Sequence, residues 1–250
     1  MPGMTNACFQ RRVRSGLAGW TFCLAAALHA APLPAQLEVT AQAQAPSLGL
    51  AAPVSAASDP AAAWDATPSP AAAELLRWIA HTGNNQGRPY VVVDKAQAHV
   101  WVLDAQHRPR AHSAALLGLA RGDHEVADIR SRDVRFLPAS ARITPAGRFL
   151  SEPGINLQGE EVVWLDYEAG LAMHRLRPGM SQFSRLKRLL GGVASEQRVS
   201  LGCVVLPVAF YTAQIQPLLG RAPGVVYVLP ENEALSAWLP RWDQAAQAAL

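Results

Sequence analysis

Two side chains that lie far apart in the sequence could together carry out nucleophilic catalysis. Cys203 lies in the stretch RVSLGCVVLP, and His174 lies in the strand-like run LAMHRL. A thiol reacts as its thiolate, and a neighbouring imidazole can take the thiol proton. A single histidine in a strand is more often structural, and a single thiol is often buried and inert. The two residues are therefore candidates for a base and a nucleophile only as a pair.

The other histidines are weaker candidates for the base, because they lie at element ends or in polar segments. His29 lies in an N-terminal apolar run, His81 ends a predicted helix and His99 opens a predicted strand. The remaining three lie in or beside polar turns: His107, His112 and His124. His174 differs from all of them because it is inside a strand run, on the face opposite to its apolar neighbours.

The N-terminal segment has the organisation of a secretory signal peptide. Arg11, Arg12 and Arg14 precede an apolar run over residues 17–31, which ends in small residues before two prolines. The alternative is an uncleaved membrane anchor, but a spanning helix needs about 20 strongly apolar residues and this run is rich in alanine. We therefore expect residues 1–31 to be removed on export, leaving a periplasmic or secreted protein with no membrane span.

Removal of this leader changes what the composition implies. The leader carries three of the 22 basic residues and none of the 19 acidic ones, which leaves 19 of each, so the pI near 9.0 does not indicate nucleic-acid binding. Cys8 and Cys23 are removed with the leader, so no disulfide can form within the mature chain. The remaining Cys203 then forms a disulfide between molecules, is a free reactive thiol or is buried and inert. The sequence has no HxH or CxxC spacing that would indicate a metal site. We predict no cofactor, and we expect the protein to be a monomer.

The rest of the chain divides into a linker, a helix, a β-rich domain and a tail. Residues 32–70 are mostly Ala, Pro, Ser and Gln, a composition typical of a disordered linker. Residues 71–87 are predicted to form a helix and connector, since AAAELLRWIA has helical apolar spacing and HTGNNQG ends it. Residues 88–230 contain the predicted β-rich domain, and residues 231–250 are predicted to be a helical tail broken at Pro240.

Within residues 88–230, short valine-rich runs separated by turns predict a series of strands. PYVVVD, HVWVLD and AHSAALLG have the pattern of a β-meander, and ITPAGRFL, EVVWLD and LAMHRL continue it. SQFSRLKRLL is predicted to be a short helix or insertion, PVAFYTAQIQPLL a helix that starts at Pro207, and GVVYVL the last strand. The pattern indicates one mainly β, mainly antiparallel domain with a few helices and a single core.

Three segments, taken in order, resemble the catalytic domain of the L,D-transpeptidase family. They are ITPAGRF (143–149), MHRL (173–176) and RVSLGCVVLPVAFY (198–211). The core of that family is a TPxGxF segment, a histidine and a Ser/Thr-His-Gly-Cys box ahead of a helix. The opening strands also resemble those of the family, so the resemblance covers about residues 88–230 and implies a β-sandwich with a single catalytic domain.

The resemblance implies covalent acyl transfer on peptidoglycan stem peptides. Cys203 would attack the L,D peptide bond between the diamino acid and the terminal D-Ala of a tetrapeptide stem. His174 would take the thiol proton and return it to the leaving amine, with its imidazole oriented by a backbone carbonyl as is typical of the family. Backbone N–H groups around Gly202 and Cys203 would hold the oxyanion, and Ser200 would support the thiol.

The chain departs from the family pattern at two positions near the cysteine. Leu201 stands in place of the box histidine, and Val205 stands where Arg or Asn often follows the cysteine. The second change removes a candidate partner for stem carboxylate or carbonyl groups. The candidate replacements in substrate binding are Arg148, Arg175 and Arg198.

The segment between His174 and Cys203 is longer than the usual spacing, and SQFSRLKRLLGGVASEQ is expected to form a lid or side insertion. Its basic side chains are interpreted as a solvated face: Arg185, Lys187 and Arg188. Tyr211 is a candidate for lining the cleft, with packing in the core as the alternative.

Three functions stay open at this point. The first is transpeptidation that forms crosslinks between diamino acids. The second is hydrolysis of the same acyl-enzyme, which would make the chain an L,D-carboxypeptidase or endopeptidase. The third is a non-catalytic cell-wall-binding relative, which Leu201 favours and the presence of both His174 and Cys203 opposes.

Overall fold

The computed structural model describes residue 59, residues 64–127, residue 129 and residues 132–248. The predicted leader and most of the predicted linker lie outside these residues, so both stay predictions. Among the helices that the structure describes, none is long and apolar enough to cross a membrane.

The described residues form ten strands and five short α-helices, so the predicted mainly β fold with a few helices is confirmed. The strands are β1 (Tyr90–Asp94), β2 (His99–Leu103), β3 (Pro109–Ala114), β4 (Leu117–Gly118), β5 (Gly147–Ile155), β6 (Glu161–Asp166), β7 (Leu171–Arg175), β8 (Arg198–Ser200), β9 (Val204–Leu206) and β10 (Gly224–Val228). The helices are α1 (Pro70–Thr82), α2 (Gln182–Leu190), α3 (Val208–Phe210), α4 (Gln216–Leu219) and α5 (Leu239–Gln247), and a π-helical turn (Tyr211–Ile215) joins α3 to α4.

Eight of these strands form one sheet in the order β3-β2-β1-β10-β5-β6-β7-β9. β1 to β3 and β5 to β7 are antiparallel meanders, as the alternation of valine-rich runs and turns predicted. β10 joins the meanders by pairing parallel to β1 and antiparallel to β5. The sequence pattern did not predict this parallel pairing, nor that of β7 with β9, because periodicity within a strand carries no information about its distant neighbours.

The two edges of this sheet meet, so the sheet is nearly closed. The backbone N–H of Leu116, just after β3, donates to the carbonyl of Val205 in β9 at 2.8 Å, and the Val205 N–H donates back at 2.9 Å. The main apolar cluster contains side chains from both ends of the sheet, among them Val102 and Leu206. The predicted sandwich therefore takes the form of a single sheet that curves around a shared core, and its closure lies beside Cys203.

Helices α1 and α5 cover the outer face of β1, β2 and β10. Leu75, Leu76 and Ile79 of α1 are fully buried in a second apolar cluster, which also contains Trp242 of α5. The helical tail is interrupted just before Pro240, between a 3-10 turn (Leu235–Ala237) and α5. Pro240 lies in the first turn of α5, where the missing N–H of proline removes no helical hydrogen bond.

A buried network of charged side chains joins several loops of the domain. Lys95 Nζ donates to Asp123 Oδ1 at 2.8 Å and to the carbonyl of Thr144 at 3.1 Å. Arg198 donates to both carboxylate oxygens of Glu231, at 3.0 and 2.5 Å. The proposal that Arg198 binds substrate was therefore wrong, because its guanidinium is buried and already paired.

Helix α2 forms part of the crossover from β7 to β9. Parallel strands cannot be joined by a tight turn, and they need a connection of a dozen or more residues. Leu189, with the partly buried Leu186, packs from α2 onto Leu176 and Val205. The segment expected to be a lid or side insertion is thus the connection that places His174 and the segment of Cys203 on neighbouring strands.

Candidate active site

His174 and Cys203 line one cavity of about 960 Å³ at the edge formed by β7 and β9. In the parallel register, Met173 lies opposite Val204 and His174 lies opposite Val205. Met173 and Val204 face the main core, so their neighbours in sequence lie on the other side of the sheet. The structure therefore brings together the two residues that the sequence had singled out for chemistry.

The imidazole of His174 is buried and held in one orientation. Its Nδ1 lies 2.8 Å from the carbonyl oxygen of Arg175. Because a carbonyl only accepts hydrogen bonds, Nδ1 carries the proton and Nε2 is left as the acceptor. This is the arrangement that the resemblance implied.

Burial lowers the pKa of His174 to about 4, against the opposing effect of the Arg175 carbonyl. The charges of Arg177 and Arg185 lower this pKa further, and the charge of Glu160 raises it. The imidazole is therefore neutral near pH 7 and able to accept a proton at Nε2.

The thiol of Cys203 is half-buried and protonated at rest. Burial raises its pKa, while the backbone N–H of Ala172 and the charge of Arg177 act in the opposite direction. The thiol donates to the carbonyl of Gly170 at 3.5 Å, and no hydrogen bond between described residues joins it to the His174 ring. Catalytic hydrogen bonds often form only in the substrate complex, so activation requires the thiol to turn from Gly170 to the imidazole.

Ser200 shapes the loop that carries the thiol. Its Oγ donates to the carbonyl of Cys203 at 2.7 Å and accepts from the backbone N–H of Gly202 at 3.1 Å. The Gly202 N–H is therefore occupied, which argues against the oxyanion role expected of it. The backbone N–H groups of Ala172 and Cys203 remain as donors near the sulfur, since both oppose the rise in its pKa.

Gly202 is required by the backbone of this loop. Its φ is 140°, a value that residues with a side chain rarely adopt, and a Cβ there would lie 2.8 Å from the carbonyl oxygen of Ile143. A Cβ on Gly118 would likewise lie 2.4 Å from the carbonyl of Arg142. The ITPAG segment thus packs directly against two glycine backbones, one of which precedes Cys203.

Thr144 is a residue of the site that sequence reasoning missed. It is fully buried, and its Oγ1 donates to the carbonyl of Gly202 at 2.7 Å and accepts from the N–H of Gly118 at 2.8 Å. The hydroxyl therefore connects the cysteine loop to β4. The signal was present, because Thr144 is the threonine of the motif ITPAGRF.

Thr144→Val is expected to destabilise the protein, because it leaves the Gly118 N–H and the Gly202 carbonyl buried without partners. The free energy of unfolding should fall by about 2 kcal/mol in urea titrations. Thr82→Val is the matched control, since Thr82 is exposed and its hydroxyl donates to a carbonyl in its own helix. An equal, small effect of both variants would contradict the role assigned to Thr144.

Neither Arg148 nor Tyr211 lines the cavity, contrary to the expectation for Arg148, whereas core packing of Tyr211 was one of its two predicted placements. Arg148 donates to the side chain and carbonyl of Asn84 and lies over the ring of Tyr227, on the face covered by α1 and α5. Tyr211 is fully buried in the main core, where its hydroxyl donates to the carbonyl of Glu161 at 3.4 Å. Strand register and helix phase direct both side chains away from Cys203.

Three further side chains near the pair provide no polar contact for a substrate: Arg175, Leu201 and Val205. Arg175 contributes its carbonyl to His174, but its side chain does not line the cavity. Leu201 is 39% exposed at the cavity wall, and Val205 is buried beneath α2. None of the three side chains offers a polar group to a ligand in the cavity.

Arginines from two segments line the cavity: Arg132 and Arg135 from the segment before β5, and Arg177, Arg185 and Arg188 from the crossover. Arg177 Nε lies 2.6 Å from a carboxylate oxygen of Glu160. Arg185 Nε is buried, and among the described residues it has no hydrogen-bond partner. The expectation that Arg185 belongs to a solvated face was wrong, because the packing of α2 turns this side chain toward the cavity. No group of three His, Cys, Asp or Glu side chains that could hold a metal ion occurs in the part of the chain that is described.

Comparison with solved structures gives overlaps of modest extent. No family model and no curated protein matches the chain. A solved variant of an L,D-transpeptidase from Enterococcus faecium is similar over 57% of this chain and 50% of that chain, with 17% identity and a TM-score of 0.31. A fused Zn-dependent amidase, peptidase and peptidoglycan-binding domain-containing protein from Clostridium acetobutylicum is similar over 66% of this chain and 71% of that chain, with 12% identity and a TM-score of 0.30. The chain thus spans half the length of the first of these proteins.

Proposed function

We propose that this chain is a cysteine acyltransferase of the L,D-transpeptidase type. It acts outside the cytoplasm on tetrapeptide stems of peptidoglycan and forms crosslinks between their diamino acids. The observation that carries this proposal is the meeting of Cys203 and His174 in one cavity, with Nδ1 of the imidazole fixed by a carbonyl and Nε2 left to accept the thiol proton. The two residues lie at the positions where the resemblance expects a nucleophile and a base.

The first half of the reaction forms a thioester. Nε2 of His174 takes the proton of the Cys203 thiol as the sulfur attacks the carbonyl carbon of the diamino acid. The C–N bond to D-Ala then breaks, and the imidazolium returns the proton to the leaving amine. The products are free D-Ala and a stem tripeptide bound to sulfur.

The second half transfers the acyl group to an amine. The side-chain amine of a diamino acid on another stem attacks the thioester carbon and loses a proton to Nε2. The C–S bond breaks, and the imidazolium protonates the departing sulfur. The net result exchanges one amide bond for another, so no external energy source or cofactor enters the reaction.

Groups near Cys203 and His174 stabilise the charges that develop on the sulfur and the imidazole during proton transfer. Arg177, Arg185 and the Ala172 N–H stabilise negative charge on sulfur. The Arg175 carbonyl and Glu160 stabilise positive charge on the imidazole, against the opposing charges of Arg177 and Arg185. Because both resting groups are neutral, these interactions act mainly where charge develops, in the transition state.

The experiment that tests this function is incubation of the full chain with purified tetrapeptide stems. We expect release of D-Ala and a crosslinked product that joins two diamino acids, both detected by mass spectrometry. A stem with L-Ala at the fourth position is the matched control and should be left intact. Tripeptide without crosslinks would show hydrolysis instead of transfer, and the absence of D-Ala release would contradict the proposal.

A further inference from the structure

Two arginines lie close together in the cavity, beside the thiol. Arg177 follows β7 and Arg185 lies in α2, and both side chains line the same cavity as Cys203 and His174. The charges of both arginines lower the pKa of the Cys203 thiol and that of the His174 imidazole. The two arginines also act on each other. Burial lowers the pKa of Arg185 most, and the positive charge of Arg177 lowers it further.

Of these two arginines, Arg177 has a carboxylate partner in the ion pairs between described residues. Glu160 lies against Arg177, with 2.6 Å between carboxylate oxygen and Nε. Arg185 Nε is buried without a hydrogen-bond partner among the described residues. A buried N–H of a charged group that makes no hydrogen bond is unfavourable, so such a group is expected to receive its partner from a ligand.

The position of Arg185 is fixed by the packing of its helix. Leu186 and Leu189, which follow Arg185 in α2, pack against Leu176 and Val205 beneath the helix. Removing the charge would therefore not remove the contacts that hold the helix. Burying a guanidinium N–H without a hydrogen-bond partner lowers the stability of the folded protein. An uncharged side chain of similar size would avoid this loss, so we infer that Arg185 has a role other than stability.

We propose that Arg177 and Arg185 together bind a carboxylate of the substrate peptide. This inference rests on the proposed function and names the chemical group that the cavity selects. Guanidinium groups match a carboxylate with paired N–H donors, and the substrate carboxylate would give Arg185 the kind of partner that Glu160 gives Arg177. The carboxylate is either the terminal one of D-Ala or the one on the side chain of the diamino acid.

The test is a binding measurement in the full-length Cys203→Ala variant, which holds the peptide without cleaving it. Calorimetric titrations compare a tetrapeptide stem with two analogues, one amidated at the D-Ala carboxylate and one at the diamino-acid carboxylate. We expect one of the analogues to bind about tenfold more weakly than the free acid. The analogue that loses affinity identifies which carboxylate the arginines hold.

Adding Arg185→Gln to this variant should weaken the free acid about tenfold and abolish the difference between acid and amide. Lys187→Gln is the matched control, because Lys187 is exposed on the same helix and does not line the cavity. It should keep the full difference. The Tm of the Arg185→Gln protein should stay at or above that of its parent, which separates loss of a ligand contact from loss of structure.

Equal binding of the acid and both amides would overturn the inference. The inference would also be overturned if Arg185→Gln lowered the affinity for all three peptides equally. Failure of every peptide to bind would overturn it as well. Release of D-Ala by the wild-type chain is measured separately. If the wild type releases D-Ala but the acid and amide peptides bind equally well, only the arginine site is refuted. If the acid binds more tightly than an amide but no D-Ala is released, only the proposed reaction is refuted.

Discussion

Replacing Cys203 with serine is expected to lower the rate of D-Ala release from tetrapeptide stems by about 10⁴-fold. The hydroxyl that replaces the thiol is much harder to deprotonate, and an imidazole whose pKa is about 4 is too weak a base to activate it. The substitution hardly changes the size of the side chain, so the Tm should change little. The measurement is kcat/KM for D-Ala release, with thermal unfolding as the check on folding.

Alkylation provides the control for this variant. Cys203 is the only cysteine outside the predicted leader, so iodoacetamide should inactivate mature wild-type protein. The same reagent should leave Cys203→Ser unmodified. Wild-type turnover by the serine variant would exclude the thiol as the nucleophile.

His174→Gln is expected to lower kcat/KM by about 10³-fold, because the cavity then lacks the imidazole proposed to take the thiol proton. The pH dependence of the wild-type rate identifies this base. The reaction needs the neutral imidazole, so the rate is at its plateau above the pKa of His174 and is lost as pH falls through about 4. This acid limb should be absent from the residual rate of the variant.

His99→Gln is the matched control for the histidine prediction. Burial also lowers the pKa of His99 to about 4, but His99 lies on β2, where its Nε2 hydrogen-bonds to His112. We expect this variant to keep both the wild-type rate and the acid limb. Equal losses in the two variants, or a wild-type acid limb near 6.5, would contradict the choice of His174 as the base.

Local patterns in the sequence were enough to predict the strands and the two residues that meet in the cavity. Valine-rich runs and turns marked both meanders, and the motifs around Cys203 and His174 identified the pair. Each of these signals lies within a few consecutive residues. The mainly β fold follows from them because buried strands need β-branched side chains at short, regular intervals.

The direction of individual side chains could not be predicted in the same way. Arg148, Arg198 and Arg185 are all basic residues near motifs, yet only Arg185 lines the cavity. Their directions depend on which strand or helix packs beside them, as the parallel pairing of β7 with β9 illustrates. Thr144 was missed for the same reason, since its partners Gly118 and Gly202 are distant in sequence.

The most direct test of the account is peptide mapping of the acyl-enzyme. The full chain is mixed with tetrapeptide stems, quenched in acid to preserve the thioester and digested for mass spectrometry. We predict that the peptide containing Cys203 carries the mass of the stem tripeptide and that hydroxylamine removes it. Release of D-Ala while Cys203 stays unmodified, or an adduct on any other residue, would contradict the central claim.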